Sequence, residues 1–134
     1  QTYLLSRLPE IEANNDMAWA ITEQGSSELI GLIEYRAGAE LEDNRGFWLG
    51  QPWQGRGYMT ECIYAVQDYL FFELQIERIL VVNATDNLQS RRIKEKTGAH
   101  YLGQLPMEHR NGCRTSEQWE ITREGWAQHR GKTP

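Results

Sequence analysis

No apolar run in this chain approaches the ~18 residues that a membrane-spanning helix requires, and no secretory leader is visible in it. Cysteine is scarce. Cys62 lies on the apolar side of a helical pattern and Cys113 in a polar turn. Together they offer neither a disulfide framework nor a metal-ligand spacing, which favours a reducing, cytoplasmic setting. His100, His109 and His129 are scattered and make no zinc pattern with Cys113, so no metal is expected. Positive charge is also short: 14 Lys+Arg against 19 Asp+Glu leave a net charge of −5. Nucleic acid is therefore not an expected partner, since the basic cluster is confined to Arg91, Arg92, Lys94 and Lys96. Repeats, linkers and low-complexity tracts are missing too. What remains is a 134-residue chain with material for one domain and a real core.

The stretch Gln51-Pro-Trp-Gln-Gly-Arg-Gly-Tyr-Met-Thr-Glu61 joins two periodicities. Before it, residues 46–50 read as a short, bulky strand. After it, Ile63, Val66, Tyr69 and Leu70 recur at helical spacing. Gln54-Gly-Arg-Gly57 is thus a tight glycine turn feeding a helix N-terminus, where backbone N–H groups and the helix dipole favour an anion. A plain strand-to-helix turn would use the same glycines. Two phosphate motifs are excluded: a P-loop needs a Lys before its Ser/Thr, and none precedes Thr60. A dinucleotide fingerprint needs a third glycine where Thr60 stands.

Elsewhere the pattern predicts an α+β domain. Residues 2–12 carry Leu4, Leu5, Leu8 and Ile11 on one side of a helix that Pro9 interrupts. Residues 17–21 and 29–36 read as hairpin strands, with Ile30, Leu32 and Glu34 sharing a face, and the 46–50 strand completes an antiparallel meander. Arg78-Ile-Leu-Val-Val-Asn83 is apolar without alternation, as in a strand covered on both faces; strand, loop, helix and strand then form a right-handed βαβ unit. Asn87 caps the next helix, Ser90 lies one turn in, and Gly98 ends it. Residues 99–105 and 115–121 read as strands around a turn at 110–113, and a terminal helix begins at Thr122.

Gln54-Gly-Arg-Gly-Tyr-Met59 resembles the [QR]-x-x-G-x-[GA] coenzyme A loop of the GNAT acetyltransferase superfamily. Phe47-Trp-Leu before it and Trp53 to Glu61 through it resemble the branch acetylating ribosomal-protein N-termini (RimJ/RimL-like). Met59 departs from the general pattern in a way that branch often shows. Asn87-Leu-Gln-Ser-Arg-Arg-Ile-Lys-Glu-Lys-Thr-Gly98 resembles the family's N-x-x-S-x-x-x-x-x-K-x-G helix, and the likeness spans roughly residues 18–126. It implies a GNAT-like mixed, mainly antiparallel sheet flanked by helices around a βαβ coenzyme-binding core, as a single acyl-CoA N-acyltransferase domain over residues 1–134. Gln1 is not an initiator, and the family usually opens with a further strand and helix. The chain is therefore expected to be N-terminally shortened, with part of its substrate-facing region missing.

The resemblance also implies roles. The pantetheine arm of acetyl-CoA, the expected co-substrate, would lie along Trp48, Leu49 and Gly50 as a pseudo-strand. Its pyrophosphate would meet Gln54, Gly55, Arg56, Gly57, Tyr58, Met59 and Thr60; Arg56 either adds charge there or is a solvated loop side chain. Asn87 would bond the pantetheine amide and Ser90 would donate to the departing sulfur, although helix capping explains both positions equally well. Glu34 is the carboxylate chosen as general base, with burial raising its pKa; a surface glutamate, or water as base, fits as well. Glu61 reads as a helix-dipole residue and Tyr101 as a core aromatic. The implied reaction moves an acetyl group to a primary amine, either a protein N-terminal α-amine or a small molecule, and the acidic balance mildly suits a cationic one. Homodimerisation stays open. So do two other classes: a catalytically silent acyl-CoA-binding sensor or recruitment module, and a small nucleotide-binding domain, which the missing Lys disfavours.

Overall fold

The computed structural model describes residues 3–107 and 109–132. Its first sheet has the order β1-β2-β3-β4, built from Tyr3–Arg7, Met17–Glu23, Leu29–Tyr35 and Arg45–Leu49, every pair antiparallel. The second has the order β5-β7-β6, from Arg78–Ala84, Thr115–Thr122 and His100–Pro106, again antiparallel. Helices α1 (Tyr58–Asp68), α2 (Leu88–Lys96) and α3 (Arg123–His129) complete an α+β fold.

The first element corrects the sequence reading. Within residues 3–12, a strand and a short 3-10 turn, Pro9–Ile11, stand where a helix was expected; Thr2 lies outside the described residues. The reason is tertiary. As a strand, the segment pairs with β2 from Tyr3↔Glu23 to Arg7↔Trp19 and buries Tyr3, whose hydroxyl donates to Glu61 of α1. Pro9 lacks an N–H and could not have carried a helix onward.

Three predicted strands behave as their composition dictates. All of Met17 to Ile21 is buried, so β2 is covered on both faces. In β3 the buried side chains include Ile30, Ile33 and Tyr35, while Glu34 points to solvent. In β5, Ile79, Val81 and Asn83 are buried and the alternate positions half-buried. Helix α1 lays Met59, Cys62, Ile63 and Val66 onto this surface, and a π turn, Tyr69–Glu73, adds Leu70 and Phe71. One continuous core results, reaching from Ile21 and Ile33 through Ile63 and Leu70 to Ile79, Ile121 and Trp126. Each of these fully buried side chains contributes roughly 1.5–3 kcal/mol.

The strand–loop–helix–strand unit is β4–α1–β5, and its two strands are held side by side at one end. Asn44, just before β4, donates its backbone N–H to Leu80 O (2.7 Å) and accepts Leu80 N–H on its side-chain oxygen (2.9 Å). Its amide nitrogen donates to Arg36 O and Gly38 O, both at 2.9 Å. Beyond Asn44, no backbone hydrogen bond joins β4 to β5 among the described residues. The strands part, and a cleft opens between their C-terminal ends.

Candidate active site

The cleft has a volume of about 910 Å³. Phe47, Trp48 and Leu49 of β4 form one wall, and Val82, Asn83 and Ala84 of β5 the other. The glycine turn closes one end. Gln54 Nε2 donates to Leu49 O at 2.7 Å, fastening the turn to the end of β4. Gly55 (φ +77°) and Gly57 (φ +80°) occupy the left-handed region that only glycine visits cheaply. A Cβ on either would meet nothing within 4 Å, so the requirement for glycine is conformational and the space above the turn is open. Gly57 begins α1 with no side chain capping it. The first-turn N–H groups of such a helix point out along its axis, here toward the cleft that Gly57, Tyr58, Met59 and Thr60 line.

The start of α2 supplies the next part of the lining: Asn87, Gln89, Ser90, Ile93 and Lys94. Asn87 caps the helix, its Oδ1 accepting from Ser90 N at 3.1 Å. Ser90 Oγ accepts from Lys94 Nζ at 2.8 Å. At the deep end lie Asp43, Arg45 and Gly46; His109, Arg110 and Asn111 form a rim.

Of the residues predicted from the sequence, the cleft brings together Trp48, Leu49, Gln54, Gly55, Gly57, Tyr58, Met59, Thr60, Asn87 and Ser90. Gly50, Arg56 and Glu34 are not among the lining residues. The burial expected of Glu34 is absent: its side chain is 48% exposed and lies 3.8 Å from Arg36, because β3 turns that position to solvent. Tyr101 is no core residue either. It is 51% exposed and packs edge-on against Trp119, centroids 5.2 Å apart.

Sequence reasoning missed four residues here. Asn83 is buried, donates to Glu117 Oε1 (2.9 Å) and accepts from Trp119 Nε1 (2.9 Å). Glu117 in turn takes two 2.8 Å bonds from Arg91. Burial works against its ionisation, but the bonds from Arg91 and Asn83 prevail and hold its carboxyl below the usual range. Lys94, assigned by sequence to a solvated basic cluster, is only 2% exposed. Burial, and then the charge of Arg45, push its ammonium down to about 7. Arg45 is buried as well and is lowered to about 10 by that burial. It donates to Gln67 Oε1, while its Nε and Nη2 have no partner among the described residues. Helical spacing carried the signal for Lys94, which shares a stripe with Ser90 and the buried Thr97.

Among the described residues, five cationic side chains line the cleft, Arg45, Arg92, Lys94, Lys96 and Arg110, against the single carboxylate Asp43. The sign is opposite to the chain's net charge of −5 and suits an anionic ligand. No group of three or more His, Cys, Asp or Glu able to hold a metal occurs among the described residues. No helix there is long and apolar enough to cross a membrane.

Two strands parting beside an uncapped glycine turn, with a capped helix opposite, make a cleft shaped for an extended, anionic ligand. The chain belongs to the acetyltransferase (GNAT) domain family, which matches residues 1–100. It is 33% identical over 96 residues to the Bacillus subtilis (strain 168) protein named "Probable N-acetyltransferase YjcK", covering 69% of this chain and 53% of that one. The chain thus spans about half the length of this relative. Among solved structures, it superposes on the ribosomal-protein-S5-alanine acetyltransferase from Vibrio fischeri (TM-score 0.74, 18% identity, 84% of this chain and 64% of that one). It also superposes on mutant forms of the spermidine/spermine N-acetyltransferase SpeG from Vibrio cholerae (TM-score 0.75, 19% identity, 90% and 72%). These likenesses establish the shared fold.

Proposed function

We propose that this chain is the catalytic domain of an acetyl-CoA-dependent N-acetyltransferase acting on a primary amine in the cytoplasm. The observation that carries the reading is the continuity of the cleft from the uncapped glycine turn to Ser90. The turn's N–H groups and the exposed cations of the lining, Arg92, Lys96 and Arg110, hold a pyrophosphate; the main-chain groups of Trp48 and Leu49 flank an extended arm; Asn87 and Ser90 stand where the acyl end would lie. Bound acetyl-CoA supplies the activated acyl group. The chain's own residues orient it, exclude water with Phe47, Trp48 and Val82, and place the Ser90 hydroxyl at the leaving group. No glutamate is required as base, since an amine that enters neutral, or loses its proton to water, can attack.

The acceptor is a protein N-terminal α-amine or a small-molecule amine. The cationic lining argues against the expectation, drawn from net charge, that a cationic amine suits the site, and supports a peptide α-amine over a polyamine. The site test is calorimetry with acetyl-CoA, followed by thiol release across N-terminal peptides and polyamines. Binding with release on peptides is the expected result; no binding at millimolar acetyl-CoA overturns the proposal. One observation favours a second reading, a silent acyl-CoA-binding module: the lining holds no carboxylate other than the half-buried Asp43 among the described residues. Tight binding with no release on any amine would select it.

A further inference from the structure

We infer that Lys94 is a positioning residue for the leaving group: its buried ammonium donates to Ser90 Oγ, so that the Ser90 proton is left for the departing thiolate. The inference rests on the coenzyme reading above and deepens it. Lys94 sits one helical turn after Ser90 on α2, and its Nζ lies 2.8 Å from Ser90 Oγ. That is its one hydrogen bond among the described residues, and no carboxylate there lies within ion-pair distance of it. The Phe47 ring packs against it, 5.4 Å from Nζ to centroid.

An unpaired buried ammonium is costly, and a methionine or leucine would fill the same volume without that cost. The one thing a lysine adds here is a charged donor aimed at a hydroxyl that faces the cleft. A hydroxyl that accepts from Nζ keeps its own hydrogen for another acceptor. The step balances. The acceptor nitrogen forms the C–N bond while the C–S bond breaks and its electron pair stays on sulfur. Ser90 passes its proton to that sulfur, Lys94 passes one to Ser90 Oγ, and the proton shed by the amine returns through solvent to Lys94.

Three charged groups face Lys94 from its surroundings: Arg45 of β4, which opposes its protonation, and Asp43, before β4, with Glu117 of β7, which favour it. Burial, with Arg45 beside it, outweighs the two carboxylates, and an ammonium that titrates near 7 releases its proton readily under neutral conditions.

The test compares Lys94→Met, Ser90→Ala, the double variant and Arg45→Met by coenzyme calorimetry and by kcat against pH. Lys94→Met should bind coenzyme as the wild type does and lose roughly 10²-fold in kcat, together with the alkaline limb of the pH profile. Ser90→Ala should match it, with no further loss in the double variant. Arg45→Met, which removes a repelling charge, should move the alkaline limb upward. A folded Lys94→Met that keeps wild-type kcat and its alkaline limb, or losses that multiply in the double variant, would overturn the relay while leaving the coenzyme reading standing. Failure of the wild type to bind coenzyme would overturn both. Should Lys94→Met not fold, the Lys94 ammonium is titrated by NMR. A midpoint near 7 that rises in Arg45→Met supports the relay; one above about 9 in both proteins overturns it.

Discussion

Replacing Gly57 by alanine separates the demands of the turn from those of the ligand. In the left-handed region an alanine costs about 1–2 kcal/mol, and the open space around Gly57 adds no clash to that figure. The variant should therefore fold, with a melting temperature roughly 3–6 °C lower. Coenzyme binding should suffer more. A methyl group at the close approach removes at least one charge-assisted hydrogen bond, worth about 1.5–3 kcal/mol. The turn's strain is common to the free and bound protein and cancels, so the affinity loss is that of the hydrogen bond, roughly 10- to 10²-fold in Kd. Gly25 supplies the control, since its φ is +85° and it too has nothing within 4 Å, but it stands in the β2–β3 hairpin. Gly25→Ala should show the same loss of melting temperature with unchanged Kd. Thermal unfolding and calorimetry on both variants decide the matter. A folded Gly57→Ala with wild-type Kd would refute the cradle, and equal losses of affinity at both positions would refute its location.

Lys94 also predicts a pH dependence of stability. Its folded pKa, about 7, lies below the unfolded value, so between the two the unfolded chain binds the extra proton and stability rises with pH. Denaturant unfolding from pH 7 to 10 should show a positive slope, at most about 1.4 kcal/mol per pH unit, which Lys94→Met abolishes; an unchanged slope would contradict the assignment. Asp68 accepts from Trp126 Nε1 (3.0 Å) and pairs with Arg130 (3.0 Å), tying α3 to α1. Asp68→Ala should cost about 1–3 kcal/mol in chemical unfolding with coenzyme affinity intact, and a cost near zero would show that α3 docks by its apolar side chains alone.

The glycine turn and the α2 cap were legible because glycine at positive φ and asparagine at an N-cap are local requirements, written in three or four adjacent residues. The meander was legible because β2 is a short apolar run and β3 a second one, separated by the polar turn residues 23–27. β1 was not, since Leu4, Leu5, Leu8 and Ile11 satisfy a helix as well as they satisfy anything; only the free edge of β2, remote in sequence, selects a strand. Lys94 and Arg45 failed for a related reason. A lysine among Arg91, Arg92 and Lys96 reads as solvated, and the Phe47 ring and deep end of the cleft that enclose it come from another element. Glu34 was the converse case: as a base it needed burial, and of the two readings open to it the surface glutamate is the one β3 shows.

The Asn44 bond pattern has a consequence for solubility. An unpaired strand edge is a template on which another chain can build, and two of the four edge strands of these sheets, β4 and β5, border the cleft. They face one another across the cleft, joined at Asn44 and parted beyond it. The protein thus stores a pair of adhesive surfaces by turning them inward, and a slim, amide-bearing ligand is the shape that can use them.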